Sequence, residues 1–326
     1  MKPPQNDAPD LGDVKLAMKG PLPRRKLGRT GVEVAALALG GYHLGTMATQ
    51  AEAERLVHEA IDHGIDFFDS AWEYHEGRSE EFLGTALHGR REQVFVMTKV
   101  CTHGRDARVA MQQLEDSLRR LKTDHLDLWQ VHEVIYDNDP EKHYQPGGVL
   151  DALARARKSG KVRFVGFTGH KDPALHLKML EGGFAFDTVQ MPLNVLDGCG
   201  FRSFERQVLP LVQARGMAPL GMKSLCGRGE PVKAGAISAE EGLGYALSLP
   251  AAAIISGIDS PAVLHQNLNL AGGFQPWPAT RLEALRDQVR GFAADGRFEL
   301  FKTSKRYDGA PGREQHGFPS PEELGG

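Results

Sequence analysis

The chain has 326 residues, 41% of them hydrophobic, which is enough for a large core and excludes disorder over the whole length. With 39 Lys+Arg against 42 Asp+Glu the net charge is −3, so nothing electrostatic points to nucleic acid or a membrane surface, and the expected partner is a small molecule. No apolar run reaches about 18 residues, so no membrane span is expected. The three scattered cysteines, Cys101, Cys199 and Cys226, build neither a disulfide framework nor a zinc knuckle, and suit a reducing cytoplasm.

Residues 1–24 are rich in proline and lack an apolar period, which predicts a flexible arm. Arg24 and Arg25 precede VAALALGG, but that run is too short for a twin-arginine signal and reads as basic residues ahead of a strand. Eight short apolar runs follow, at 34–40, 66–71, 94–100, 126–132, 162–169, 187–193, 217–223 and 252–258, each succeeded by an amphipathic stretch. Several helix starts are explicit. Thr49 with Glu52 and Ser238 with Glu241 have capping-box spacing, and Asp172–Pro173 and Ser260–Pro261 put a cap residue before a first-turn proline. A helix over 107–121 carries Arg119, Arg120 and Lys122 at its end, where the helix dipole favours cations.

Eight units at about 30 residues each match the βαβ step, so the pattern predicts a (β/α)8 barrel over 25–302, followed by a flexible Gly- and Pro-rich tail over 303–326 that can lie over a site. A doubly wound open sheet is the alternative, but it wants GxGxxG after its first strand, where this chain has GGYHLG. In a barrel the chemistry gathers where strands end. Those ends carry Gly41 and Tyr42, Asp69 followed by Trp72 and Tyr74, Lys99, His132, Thr168 to His170, Gln190, Lys223 with Ser224, and Gly257 to Ser260.

An acid, a phenol, an amine and an imidazole thus come from three adjacent strands. Singly each has a bland reading, such as a cap, an edge charge or one of thirteen histidines. Together they suit carbonyl reduction. Lys99, held by Asp69, would ease ionisation of Tyr74 as proton donor, and His132 would be a second donor to the carbonyl oxygen. Nothing in the chain supplies a hydride, so a nicotinamide cofactor is required. Two other classes stay open: a metal-dependent hydrolase using Asp69, His132, Glu133 and His170, and a non-catalytic, cofactor-binding regulatory barrel. No heptad or other motif speaks for an oligomeric state.

FFDSAWEYHEGRSEEFLG, VFVMTKV, LDLWQVHE and the opening KLGRTGVEVAALALGG resemble the signatures of the aldo-keto reductase family over roughly residues 24–275. The resemblance implies a (β/α)8 barrel binding NADP(H) without a Rossmann motif, with Asp69, Tyr74, Lys99 and His132 as the catalytic tetrad and Tyr74 the general acid. It also implies a cofactor site of Gly41, Thr168, Gln190, Met222, Lys223, Arg228, Asp259, Gln266 and Asn267. Thr168 and Gly169 replace the family's serine and asparagine at the carboxamide, Met222 its stacking aromatic, and Val263 its arginine for the 2′-phosphate, so NAD remains possible beside NADP.

Overall fold

The computed structural model describes residues 12, 14–101, 106–315 and 319. A hairpin of β1 (Arg24–Lys26) and β2 (Glu33–Ala35) precedes eight strands that close into a parallel barrel. The barrel strands are β3 (Leu37–Gly40), β4 (Phe67–Asp69), β5 (Phe95–Val100), β6 (Leu126–Val131), β7 (Val162–Thr168), β8 (Thr188–Pro192), β9 (Ala218–Met222) and β10 (Ala253–Gly257), with β10 paired to β3. All eight fall inside the expected runs. The first run differs in one respect: it splits, Val34 and Ala35 pairing antiparallel with the hairpin before the chain turns into the barrel at Ala36, whose N–H is donated to Pro23 O. An unbroken apolar run carries no period that marks such a turn.

Alternate side chains face inward and outward. Ala38, Phe67, Met97, Leu128, Leu220 and Ile255 fill the barrel, and Leu27 and Val34 of the hairpin plug its lower end. Outward residues such as Phe68, Val96, Trp129 and Val165 pack under the surrounding helices. These helices include α1 (Gln50–Asp62), α2 (Arg78–Ala86), α3 (Ala107–Arg120), α4 (Val149–Lys158), α5 (Pro173–Glu181), α6 (Leu209–Ala214), α7 (Ala239–Ser248) and α8 (Pro261–Ala271), with α9 (Ala279–Ala293) beyond the eighth unit. Both expected capping boxes form, and Asp106, Asp172 and Ser260 each accept a backbone N–H as N-caps. Among the described residues no helix is long and apolar enough to cross a membrane.

Part of each terminal segment lies against the barrel. Val14 O is 2.6 Å from His265 Nδ1, Ala17 N donates to Asn269 Oδ1 at 2.5 Å and Asn269 Nδ2 donates to Lys15 O at 2.8 Å, which holds residues 14–17 along α8. Residues 1–11 and 13 of the expected arm, and 316–318 and 320–326 of the expected tail, lie outside the described residues.

The Thr49 hydroxyl and the Glu52 carboxylate exchange bonds with each other's backbone at the start of α1. Thr49→Ala should therefore lower unfolding free energy by about 1 kcal/mol, read as a lower urea midpoint at unchanged m-value.

Candidate active site

Register brings the chemistry to one rim. Gly40 pairs with Asp69, Asp69 with Met97, Lys99 with Gln130, and Thr168 with Gln190, so the ends of β3 to β8 open on a common mouth. At its floor the Lys99 ammonium, 1% exposed, donates to Asp69 Oδ1 and, at 2.7 Å, to Ser70 O. The other Asp69 oxygen accepts the Gln190 amide at 3.0 Å. Above them sits the Tyr74 ring, its centroid 5.0 Å from Lys99 Nζ, edge-on to His132 at 5.6 Å and to Tyr42 at 5.3 Å. The four residues expected to act together do converge.

Their electrostatics differ from the sequence expectation. Burial, and then the nearby Asp69, Glu73 and Glu133 carboxylates, push the Tyr74 phenol well above its ordinary pKa. Lys99 was expected to lower it, but its ammonium is already engaged by Asp69 and Ser70 O, and three acids surround the ring. In this state Tyr74 is a stored acid. Burial likewise lowers the His132 imidazole, partly opposed by Glu73.

Sequence reasoning missed Glu73, which lies between Trp72 and Tyr74 rather than at a strand end. Its Oε1 is 2.7 Å from His132 Nδ1, a short contact too bent for a straight hydrogen bond, and its Oε2 accepts Cys101 Sγ–H at 2.6 Å. Glu73, His132 and Glu133 each place one potential metal ligand within 4.8 Å of the others. Burial and Glu73 together drive Glu133 well above the usual carboxylate range. Among the described residues Asp69 belongs to no such group, and its two oxygens accept from Lys99 and Gln190.

The remaining expected residues are spread around the rim. Gly41 is packed against β4, its carbonyl accepting the Ser79 hydroxyl at 2.8 Å. Thr168 ends β7 and its carbonyl accepts Val134 N–H at 2.9 Å. At Gly169 a Cβ would lie 2.4 Å from Val134 O and 2.8 Å from the His176 ring, so the asparagine that the resemblance anticipates has no room. Gln190 Oε1 is buried without a hydrogen-bond partner, an acceptor left over inside the mouth. Met222 ends β9, half-buried, and its carbonyl accepts Leu193 N–H at 3.0 Å. Asn267 donates to Ser256 Oγ at 3.0 Å and so ties α8 to β10. Gln266 is half-buried on α8 and Arg228 is exposed. Asp259 and Ser260 line a cleft of about 510 Å³ with Met47, Arg55 and Glu59, so Arg55 is a cation that strand-end reading could not find.

Lys223 follows β9 in the left-handed region, φ 55°, as Glu133 does after β6 at 53°. Its ammonium lies 5.0 Å from the Tyr307 ring centre and 5.5 Å from that of Phe301. Both rings come from the segment after the barrel. That segment crosses the mouth: Gly309 N donates to Glu133 Oε2 at 2.9 Å, and Lys171 Nζ donates to Ser304 O at 2.9 Å and to Asp308.

Comparison with known proteins bears on this arrangement. The sequence profile of the Aldo/keto reductase family matches residues 36–230. Aldo-keto reductase YhdN of Bacillus subtilis is 28% identical over 212 residues, 60% of this chain and 60% of that protein. The 6-dehydroglucose reductase of Novosphingobium aromaticivorans is 32% identical over 227 residues, 64% of this chain and 71% of its own. The chain spans between about half and two thirds of the first three curated relatives, 60%, 66% and 48% of their lengths. Among solved structures, a Pseudomonas aeruginosa putative aldo-keto reductase has a TM-score of 0.64 at 29% identity, covering 78% of this chain and 97% of that one. One from Klebsiella pneumoniae, in complex with NADP and acetate, has a TM-score of 0.66 at 22% identity, covering 82% and 95%, a likeness of fold.

Burial lowers Lys223 from 10.5 to about 8. A folded pKa below the unfolded one means that the protonated amine opposes folding below about pH 8, and that the penalty fades as pH rises toward 10.5. Lys223→Met should therefore raise the thermal midpoint at pH 7 and lose that gain near pH 10.5. A gain independent of pH would trace to packing instead.

Proposed function

The chain belongs to the aldo/keto reductase family, and on that premise we propose that it reduces the aldehyde or ketone group of a small molecule to the alcohol, with NADP(H), and less readily NAD(H), as reductant. The single observation that carries this reading is the half-buried Tyr74 phenol, held protonated beside His132 and over the Lys99–Asp69 pair. When bound, the cofactor supplies the hydride that no side chain can provide.

The donor set suits such a cofactor. The unpartnered Gln190 Oε1 is an acceptor for a carboxamide N–H₂, with Thr168 beside it on β7. Met222 would pack against the ring less rigidly than an aromatic would. Gly41, Lys223, Arg228, Asp259, Gln266 and Asn267 would serve the phosphates and adenosine, and the N-terminus of α8 adds favourable backbone dipoles.

The chain's own part is proton delivery and orientation. Tyr74 donates its proton to the carbonyl oxygen as charge develops there, and His132 offers a second hydrogen bond. The Lys99 ammonium, 5.0 Å from the Tyr74 ring centre, would stabilise the phenolate that Tyr74 becomes, and Asp69 and Ser70 O hold that ammonium in place. The named activity of the Novosphingobium relative supports a small polar carbonyl as substrate, and three scattered cysteines that build no disulfide framework agree with a cytoplasmic setting.

Purified protein should oxidise NADPH in the presence of simple aldehydes or dicarbonyls. Tyr74→Phe should remove roughly 10²–10⁴-fold of that rate while cofactor affinity survives. A Phe variant retaining more than roughly a tenth of the rate would remove Tyr74 from the acid role. For the cofactor, Val263 is half-buried against the core and offers no cation, so the NADPH preference should be modest. Val263→Arg, its stem packed and its guanidinium outward, should raise the NADPH/NADH affinity ratio about tenfold. An unchanged ratio would move the adenosine end away from α8.

A further inference from the structure

We infer that Glu73, His132 and Glu133 form a binding site for one divalent transition-metal ion, with Zn²⁺ as its type, at the mouth of the barrel. The inference does not depend on the carbonyl-reductase reading, since it concerns what these three side chains bind and not what the quartet reduces. Each of them places a ligand atom within 4.8 Å of the other two. The histidine is what points to a ligand. His132 is 8% exposed, and its Nδ1 is buried without a hydrogen-bond partner among the described residues, although the Glu73 Oε1 stands 2.7 Å away. A nitrogen and a carboxylate oxygen that face each other with no hydrogen bond between them are satisfied together by a shared cation.

The two carboxylates are placed for the same task. Glu133 follows His132 in the chain, and in extended backbone the pair would point to opposite faces. The left-handed backbone at Glu133, φ 53°, instead brings its carboxylate round to the imidazole. Each carboxylate is also anchored through one oxygen, Glu73 Oε2 by the Cys101 thiol at 2.6 Å and Glu133 Oε2 by Gly309 N–H at 2.9 Å. Outer contacts of this kind orient a ligand and leave it lone pairs for an ion. Two carboxylates close together away from water repel, and a dication offsets that repulsion. Lys99 does not take its place, because its ammonium is engaged by Asp69 and Ser70 O. The set differs from the metal ligands that the sequence suggested: Asp69 is committed to Lys99 and Gln190, and Glu73 replaces it. One imidazole with two carboxylates suits Zn²⁺, whereas Mg²⁺ and Ca²⁺ favour shells of oxygen alone.

The test titrates metal-free, tag-free, full-length protein with ZnCl₂ in a calorimeter. The wild type should have one tightest site per chain, and Glu73→Gln and Glu133→Gln should each weaken it at least about tenfold. His125→Asn, which removes a histidine beside Asp124 just before the start of β6, should leave that site unchanged. MgCl₂ should bind far more weakly than ZnCl₂. A second measurement needs no variant: the anomalous scattering of zinc, in wild-type crystals grown with ZnCl₂, should put the ion between the three side chains. No measurable binding, wild-type affinity in both Gln variants, or zinc scattering only at other places would each overturn the inference, and Mg²⁺ bound as tightly as Zn²⁺ would overturn the class of ion. Turnover enters none of these readings, so a protein that reduced no carbonyl would sink the proposed function and leave this inference to be decided by the metal alone.

Discussion

A lysine ammonium that is 1% exposed cannot stay charged inside a barrel unless its surroundings replace water, and most of the mouth of this protein follows from how Lys99 is satisfied. Asp69 Oδ1 and Ser70 O accept from it, and the Tyr74 ring lies on another side. The second Asp69 oxygen takes the Gln190 amide and carries the same network across to β8. One ion pair thus fixes the relative positions of β4, β5 and β8, and deleting either partner would leave a buried charge uncompensated at about 3–5 kcal/mol.

Around that floor the balance of charge is negative. Burial, and then Asp69, Glu73 and Glu133, keep the Tyr74 phenol protonated, and burial with Glu73 drives Glu133 up. The arrangement fits an acid that must hold its proton until charge develops on a bound oxygen, because stabilisation then comes only when needed. The cations lie farther round the rim. Lys223 and Lys171 meet the segment after the barrel, the first through two aromatic rings and the second through Ser304 O and Asp308.

What the sequence discloses and what it hides have physical reasons. The eight strands, the caps at Thr49, Asp172, Ser238 and Ser260, and the quartet at the ends of β4 to β6 are local signals, written in residues a few positions apart. The hairpin turn at Ala36 is invisible in an apolar run. Glu73 escapes because its importance lies in a partner 59 positions away, His132, and Tyr307 and Gly309 escape because their partners are 84 and 176 positions distant. The expected depression of the Tyr74 pKa fails for a related reason: the sequence names Lys99 as a neighbour but shows neither the desolvation of the phenol, the largest cause of its upward shift, nor the two glutamates that join Asp69 beside it.

The four central residues occupy a stretch of 64 positions and are joined by neighbouring strands, whereas the segment over the mouth is tied down through contacts spanning 137 and 176 positions. Over its described residues the segment shares in none of the barrel's strand pairing and meets the rim through side-chain contacts and two aromatic rings. The cover should therefore be the last piece to settle in folding and the first to detach in native fluctuations, well before any barrel strand parts. Breathing of this one segment would open the mouth while the buried ion pair beneath it stays intact, so that exchange with solvent and integrity of the floor are governed by separate parts of the chain.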